Sequence, residues 1–544
     1  MTENRLFYGD NLEMLRKHVA DESVDLVYLD PPFNSNRNYN IIFGTSSTAG
    51  KGATAQIQAF GDTWTWTHVT EQQYQEAVSG GVPGKVADAL VAIRGLLTEN
   101  DAMAYLVNMA PRLVELRRVL KPSGSLYLHC DPTMSHYLKV LLDSIFGAAC
   151  FRNDIVWKRK AGRGETNKAA VRFGVTNDNI LFYVKSSGAH FARQYRESNP
   201  EYIATKFTHI DPESGRRYRL DNLASPSYRA NLVYEYKGYP PPQKGWAVSL
   251  ERMKEMDQEG RLHFPAKKTQ RIQRKRFLDE LEGETVDSLW DDIPPINSQA
   301  KERLGYPTQK PVALLERILQ ASTSEGDIVL DPFCGCGTTI DAAIRLKRKW
   351  VGIDITYIAV DLIEKRLQHT FGGSVASEYE VFGIPKDIDG AQALFKHSPF
   401  DFERWAVSLI RAQPNEKQVG DKGVDGVARF PLDNAGKIGR VLASVKGGKT
   451  VTPQFVRDLV GTVETQKAQM GVLITMAKPS KGVLDAVSHG GTYTWPINGE
   501  VFPKIQVITV QELLSGERPA TPSLLTPYIQ ASKIVRAADQ DAIF

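Results

Sequence analysis

Residues 30–33, Asp-Pro-Pro-Phe, bring together a carboxylate, a backbone carbonyl and an aromatic ring. Asp30 accepts hydrogen bonds, and the carbonyl of Pro31 is a second acceptor beside it, because neither proline has an N–H that competes for partners. Two such acceptors can hold both N–H groups of an amino group on an aromatic ring, so that the nitrogen lone pair turns toward an electrophile, while Phe33 stacks on the ring. The tetrapeptide is also a common turn sequence, and both interpretations stay open at this point.

A second motif, DPFCGCGTT at residues 331–339, follows an apolar run and precedes a helical pattern. Its glycines, Gly335 and Gly337, let the backbone approach a ligand where a Cβ would collide. Asp354 ends the next apolar run, where an acid typically accepts hydrogen bonds from ribose hydroxyls. The turn therefore predicts a nucleotide-like cofactor, and a dinucleotide also fits. The third glycine of the dinucleotide fingerprint is missing, which favours a cofactor without a pyrophosphate.

Apolar runs predict the strands that must position these residues. VDLVYL at 24–29 ends directly before Asp30, and DIVL at 327–330 and WVGI at 350–353 flank the glycine turn and its helix. Helical patterns lie between them, as in a doubly wound α/β sheet, where reactive groups follow the carboxyl ends of parallel strands. We therefore expect an α/β fold with both motifs in one pocket. Residues 34–100, rich in Asn, Ser, Thr and Gly, are expected to form a long loop.

The composition is that of a soluble globular protein, and a length of 544 residues predicts two or three domains. No apolar run can span a bilayer, and the first residues lack the pattern of a secretory signal, so we expect a cytoplasmic protein. The cysteines form no disulfide pattern, and Cys334-Gly-Cys336 without a second ligand pair is a poor zinc site. We expect no metal in the part of the chain that holds the two motifs at 30–33 and 331–339.

Positive charge is concentrated in one segment of the chain. The net charge is +4, yet residues 151–280 hold 26 Lys and Arg against 15 Asp and Glu, with many interleaved tyrosines. The remainder of the chain is correspondingly acidic. Such a segment predicts a surface that neutralises phosphates.

Taken together, the motifs resemble the beta-class amino-methyltransferases of DNA. The resemblance covers residues 4–370 and is carried by YGDNL at 8–12, SVDLVYLDPPFNSNRNYN at 23–40, YPTQKP at 306–311, VLDPFCGCGTT at 329–339 and VGID at 351–354. It implies a Rossmann-like fold with an inserted target-recognition domain, and S-adenosylmethionine as the methyl donor. Asp-Pro-Pro-Phe is the usual form in adenine-modifying members, whereas cytosine-amino enzymes tend to have Ser first. The resemblance therefore implies methylation of adenine N6 in a base that leaves the duplex.

The same resemblance assigns roles to individual residues. Asp10 is expected to contact the adenine of the cofactor, and Asp354 its ribose. The catalytic tetrapeptide is Asp30, Pro31, Pro32 and Phe33, and the methionine part of the cofactor is expected against Thr308, Lys310, Pro311, Asp331, Pro332, Phe333, Gly335, Gly337 and Thr338.

Residues 400–516 resemble the Mrr-like branch of the PD-(D/E)xK nuclease fold, through DFER at 401–404, GDKGVDG at 420–426 and RVLASVK at 440–446. A magnesium nuclease needs carboxylates for the ion and a lysine near the attacking water. The resemblance implies that Asp425 binds Mg²⁺, that Lys446 is the lysine near the attacking water, and that Glu403 supplies a further carboxylate. Ser444 stands where the family has Glu or Gln. An active nuclease and a nuclease-derived module that binds DNA or a partner both stay open.

The expected organisation follows the order of these motifs. It comprises a catalytic half at 1–185, a target-recognition insert at 186–300, a cofactor half at 301–370, a linker at 371–399, the nuclease-like domain at 400–516 and a tail at 517–544. The function predicted is DNA adenine methylation within a restriction–modification or defence system, by a homodimer or a restriction-system subunit. The alternatives are a bifunctional restriction–modification enzyme and a methyltransferase acting on RNA or protein.

Overall fold

The computed structural model describes residues 4–32, 38–43, 55–61, 65–160, 173–297, 300, 302–304, 308–414, 423–433 and 437–524. Phe33 lies outside this set. The chain forms two units, one made of residues 193–287 and the other of the residues on both sides of them.

The first part of the larger unit alternates strands and helices as expected. Its elements are β1 (Asn4–Tyr8), α1 (Asn11–His18), β2 (Val24–Leu29), β3 (Asn38–Phe43), β4 (Ala55–Gly61), α2 (His68–Glu76), α3 (Gly84–Leu97), α4 (Asp101–Val119), β5 (Leu120–Cys130), α5 (Ser135–Phe146), β6 (Phe151–Lys158) and β7 (Asn177–Val184).

The predicted loop at 34–100 is wrong for much of its length, because α2 and α3 lie within it. Val86, Leu90 and Ile93 recur at the spacing of one helix face and are buried in the main core. Burial of this face outweighs the low helix propensity of the glycines around it.

Residues 193–287 form the smaller unit, inside the segment predicted as the insert. Its elements are β8 (Tyr195–Arg196), α6 (Pro200–Lys206), β9 (His209–Ile210), β10 (Arg217–Asn222), α7 (Leu250–Gln258), β11 (Leu262–His263), β12 (Gln273–Phe277) and β13 (Glu284–Thr285). Trp246 and Met253 are buried in a core of its own. Many of its basic side chains pair with acids of the same unit, as Arg274 does with Asp221 at 2.6 Å. The positive surface expected from the sequence is therefore weakened by internal ion pairs.

The chain then returns to the larger unit. The elements that follow are β14 (Leu289–Trp290), α8 (Val312–Ser322), β15 (Ile328–Asp331), α9 (Thr338–Arg345), β16 (Lys349–Asp354), α10 (Tyr357–Phe371) and β17 (Tyr379–Phe382). Nine strands form one sheet in the order β14-β6-β7-β5-β2-β15-β16-β1-β17. The strands from β5 to β17 in this order are parallel, whereas β7 runs antiparallel to both of its neighbours. The α/β prediction is confirmed.

The C-terminal elements build a second sheet. They are α11 (Ile388–His397), α12 (Pro399–Leu409), β18 (Gln413–Pro414), β19 (Gly426–Pro431), β20 (Ile438–Lys446), α13 (Pro453–Thr465), β21 (Met470–Thr475), α14 (Lys481–Ser488), β22 (Thr492–Thr494), β23 (Val501–Pro503), β24 (Ile505–Thr509) and α15 (Val510–Leu514). The sheet has the order β18-β19-β20-β21-β24. The predicted linker at 371–399 contains regular structure, because β17 pairs with β1 in the large sheet and α11 packs on α12.

Helix α12 also contacts the first sheet. Asp401 and Tyr8, the last residue of β1, line one cavity, and α12 packs on α10. Burial raises the pKa of Tyr8 above its usual range, and the Asp401 carboxylate raises it further. The C-terminal domain therefore rests on the strand that leads into the predicted cofactor site.

None of the helices within the residues described above is both long and apolar enough to cross a bilayer.

Candidate active site

Three predicted acids lie at the carboxyl ends of three adjacent parallel strands. Asp30 follows β2, Asp331 ends β15 and Asp354 ends β16. Strand β15 pairs in parallel with β2, from Leu26 onward, and with β16. Strand β2, apolar except for Asp25, is buried along its whole length, which places Asp30 at the surface of the core. The strand ends thus gather residues some three hundred positions apart in the sequence.

The carboxylate of Asp30 pairs with Lys310, whose Nζ donates to Asp30 Oδ2. Both side chains are mostly buried, with 15% of Asp30 and 10% of Lys310 exposed. The sequence placed Lys310 with the cofactor residues, whereas the structure brings it to the predicted catalytic acid. No spacing rule links the two, since 280 positions separate them.

The glycine turn between β15 and α9 adopts backbone conformations that favour glycine. Gly335 has φ +50° and Gly337 has φ +73°. A Cβ added to Gly337 would lie 2.9 Å from Cγ1 of Ile363 on α10. The turn is also held from below by Arg366, a fully buried residue of α10 that donates to the carbonyl of Cys336 at 2.9 Å. This cradle needs glycine at its narrowest point.

Arg366 also pairs with a buried acid of the helix that follows the turn. Its Nε donates to Asp341 Oδ2 at 3.0 Å, and Arg345 donates to the other oxygen at 2.5 Å. The sequence did not indicate Arg366 or Asp341, because only the tertiary fold brings α10 under the turn.

Asp331 is buried at the start of the turn and accepts hydrogen bonds from Thr339 Oγ1 at 2.5 Å and from the backbone N–H of Phe333 at 3.0 Å. Burial raises the pKa of Asp331 to about 7, and the charges of Asp30 and Asp354 add to that effect. Its two hydrogen bonds oppose the shift without cancelling it.

Asp354 is oriented by the backbone around it. One carboxylate oxygen accepts from Gly335 N at 2.9 Å, and the other accepts from the N–H and hydroxyl of Thr356, both at 2.8 Å. Burial raises the pKa of Asp354 to about 6 against these bonds. The oxygen that accepts from Gly335 keeps a second lone pair, which fits the predicted role of accepting from ribose hydroxyls.

Asp10 caps helix α1 and carries a partner that the sequence did not indicate. Its Oδ1 accepts from Leu12 N at 3.0 Å, and its Oδ2 accepts from Arg112 on α4 at 2.6 Å. Arg112 also donates to Asn11 at 2.6 Å. Both Arg112 and Asn11 lie at the cavity, and their contacts fix the orientation of Asp10.

One cavity unites the predicted catalytic and cofactor residues. Among the described residues its walls include Asp10, Asp30, Pro32, Thr308, Lys310, Asp331, Pro332, Phe333, Gly335, Thr338 and Asp354, with Tyr28, Asn11 and Arg112 as liners that the sequence did not point to. Three predicted site residues, Pro31, Pro311 and Gly337, are not among the residues that line this cavity. Cys334 and Cys336 lie buried in the turn, and burial raises the pKa of each thiol.

A buried polar network lies next to Asp30. Tyr28, two residues before Asp30, has its hydroxyl 3.0 Å from Nδ1 of His129, and Nε2 of His129 lies 3.1 Å from Asp178. Because the Asp178 carboxylate accepts, Nε2 carries the hydrogen and Nδ1 accepts from Tyr28. Strand β7 runs antiparallel to β5, which brings its first residues to this edge of the sheet. No motif had pointed to these residues.

The C-terminal domain places Asp425, Ser444 and Lys446 together. Asp425 Oδ2 accepts from Val445 N at 2.6 Å and from Ser444 Oγ at 3.4 Å, and Lys446 Nζ lies 3.9 Å away. Glu403 lies on α12. Within the residues that the structure describes, no group of three His, Cys, Asp or Glu side chains could hold a metal ion. Of Asp425, Ser444 and Lys446, Asp425 alone carries a carboxylate.

Comparison with known proteins tests the family resemblance directly. A family model described as DNA methylase, of the N6 and N4 type, matches residues 24–365. A model described as NACHT-associated inactive restriction endonuclease 1 matches residues 401–515, which confirms the restriction-endonuclease-like identification of the C-terminal domain.

Three curated relatives illustrate the likeness. The DNA adenine methyltransferase YhdJ of Escherichia coli is 41% identical, over 70% of this chain and 86% of that protein. The type II methyltransferase M.EcaI of Enterobacter cloacae is 33% identical, over 67% of this chain and 69% of that protein. The Mod subunit of the type III restriction–modification enzyme StyLTI of Salmonella typhimurium is 24% identical, over 64% of this chain and 51% of that protein. The chain therefore belongs to the N6_N4 DNA methylase family and is a DNA methyltransferase.

Proposed function

We propose that this chain transfers a methyl group from S-adenosylmethionine to the exocyclic N6 of adenine in double-stranded DNA, as part of a restriction–modification or defence system. The observation that carries the proposal is the single cavity shared by Asp30 and the glycine turn at Gly335. Asp at the first position of the tetrapeptide supports adenine, as does the adenine methyltransferase named among the relatives. The relatives from restriction–modification systems support the biological setting.

The residues of the cavity fit each part of the reaction. The carboxylate of Asp30 and the carbonyl of Pro31 accept the two N–H groups of the amino group and so turn its lone pair toward the cavity. Bound S-adenosylmethionine supplies an electrophilic methyl group on a sulfonium. Asp354 accepts from the ribose, and the open turn at Gly335 leaves room for the methionine part. Phe33 keeps the stacking role that the sequence predicted for it.

The positioning of the amino group is the main catalytic demand. Transfer from a sulfonium creates no new anion, so orientation and an in-line approach contribute most. The insert at 193–287 is proposed to read the target, through arginines and lysines that contact phosphates and base edges. A second copy of the chain or a restriction subunit remains the proposed partner.

The C-terminal domain is proposed to bind DNA or a partner without cutting. Ser444 stands where the nuclease family has Glu or Gln, and the matching family is described as inactive. We therefore derive no cleavage step from Asp425 and Lys446.

Methylation of duplex DNA with tritiated S-adenosylmethionine tests the proposal. Nucleoside analysis should show N6-methyladenine, and Asp30→Ala should lower the rate at least about 100-fold, because one of two acceptors is lost. The exposed Asp21→Ala is the control and should stay within about twofold. N4-methylcytosine as the product would refute the base assignment, and undiminished incorporation by Asp30→Ala would refute the site.

A further inference from the structure

Lys310 carries a buried positive charge that the proposed chemistry has not used. Its ammonium donates to Asp30 Oδ2 and lies 3.4 Å from the carbonyl of Thr308. Only 10% of its side chain is exposed. A lysine at such depth loses its hydration, so a nearby anion must compensate for it. Asp30 supplies that anion.

The other carboxylates of the cavity are held by different partners. Asp331 is bonded to Thr339 and Phe333, and Asp354 to Gly335 and Thr356. Their hydrogen bonds explain why the ammonium pairs with Asp30. The pairing engages one oxygen of that carboxylate, Oδ2.

Asp178 is the remaining acid near the lysine, and it is also engaged. Burial would raise the pKa of Asp178, but the hydrogen bond from His129 and the charges of Lys310 and Arg159 oppose burial, and the pKa is lowered. Arg159 Nε lies 3.0 Å from its second oxygen. Asp178 therefore stays ionised beside the lysine without taking the ammonium from Asp30.

We propose that Lys310 is a positioning residue for methyl transfer, which holds one oxygen of the Asp30 carboxylate so that the other accepts the target amino group. This inference rests on the proposed function. It departs from the expectation that Lys310 contacts the methionine part of the cofactor. A lysine that acts through Asp30 affects the chemical step, whereas a lysine that holds the cofactor affects cofactor binding.

Steady-state kinetics of Lys310→Gln separate these two roles. We expect kcat for DNA methylation to fall about 10- to 100-fold, the effect typical of losing a partner that orients a reacting group, with the KM for S-adenosylmethionine within about threefold. Lys310→Arg should recover part of kcat, since it restores the charge. Lys121→Gln is a matched control, because Lys121 pairs with Asp25 at 2.7 Å at the opposite end of β2. It should leave both constants within about twofold.

A double-mutant cycle tests whether the lysine acts through the acid. In the Asp30→Asn background, Lys310→Gln should cost less than about twofold in the single-turnover rate. An equal loss in both backgrounds, or a tenfold rise in KM with kcat unchanged, would overturn the proposal. Calorimetric binding of S-adenosylmethionine by each variant reports that it is folded. If the wild type itself methylates no DNA, the proposed function is refuted. That outcome is distinct from a negative result of the double-mutant cycle, which refutes only the role of Lys310.

Discussion

At the scale of the residue, the cavity is lined by acids, and burial shifts the pKa values of Asp331 and Asp354 toward neutrality. Burial raises the pKa of Asp331 to about 7 and that of Asp354 to about 6. Both acids therefore gain or lose protons within the pH range in which the enzyme is assayed. A cationic ligand binds better to the ionised forms, so proton binding and cofactor binding are linked.

This linkage predicts that the affinity for S-adenosylmethionine decreases as the pH is lowered. The raised pKa of Asp354 means that its carboxylate is protonated below about pH 6, and a protonated acid loses one acceptor and its attraction for the sulfonium. We expect binding about tenfold weaker at pH 5 than at pH 8. Calorimetry across this range is the measurement.

The variant Asp354→Asn is the companion to this experiment. It should bind more weakly at pH 8 and show a shallower dependence near pH 6, because the titrating group is gone. An affinity that stays constant between pH 5 and 8 in the wild type would contradict the linkage.

The sequence predicted these acids because strand ends can be read from apolar runs. Asp30, Asp331 and Asp354 each follow such a run, and parallel strands bring their carboxyl ends to one edge. The partners of these acids could not be read in the same way. Lys310 with Asp30 and Arg112 with Asp10 join residues 280 and 102 positions apart, and side-chain packing alone selects such pairs.

At the scale of the element, the turn from β15 into α9 depends on a close approach by α10. The predicted strands DIVL and WVGI agree with β15 and β16 to within a residue, since their apolar runs are uninterrupted. The helices at 68–97 were missed because their glycines and polar residues resemble loop composition. The contact of Gly337 with Ile363 was equally hidden from the sequence.

Gly337→Ala is expected to disturb this turn more than a positive φ alone would. An alanine at φ +73° costs about 1–2 kcal/mol, and its Cβ would also press on Ile363. We predict a lower melting temperature and about tenfold weaker binding of S-adenosylmethionine. Thermal unfolding and calorimetry measure the two effects.

Gly326→Ala is the matched control for this substitution. Gly326 has φ +85° but open space around its Cβ position, and it lies before β15, outside the cavity lining. It should lower stability by about 1 kcal/mol and leave cofactor affinity unchanged. Equal affinity losses in the two variants would show that the approach of α10 is unimportant.

At the scale of the whole molecule, a methyltransferase and a nuclease-like domain share one chain. The sequence motifs predict both domains, and Ser444 stands at the position where the nuclease family has a metal ligand. The structure adds that Asp425 is bonded to Val445 and Ser444.

We predict that the full chain does not cleave DNA. Unmethylated supercoiled plasmid incubated with Mg²⁺ or Mn²⁺ should stay uncut on gels, because Ser444, a weak magnesium ligand, stands where the nuclease family has Glu or Gln. Preparations of Asp425→Ala and Lys446→Ala should behave as the wild type does. Metal-dependent nicking by the wild type that disappears in Asp425→Ala would restore the bifunctional alternative.

The proximity of Asp401 to Tyr8 bears on whether the two domains of this protein can be separated. A cut at residue 400, where the motifs place the boundary, would expose the tyrosine that ends β1 just before Gly9 and Asp10. Fragments for biochemical work would then lose support at the mouth of the methylating centre. The nuclease-like domain thus supports the methyltransferase domain beside it, and the two domains are not independent modules.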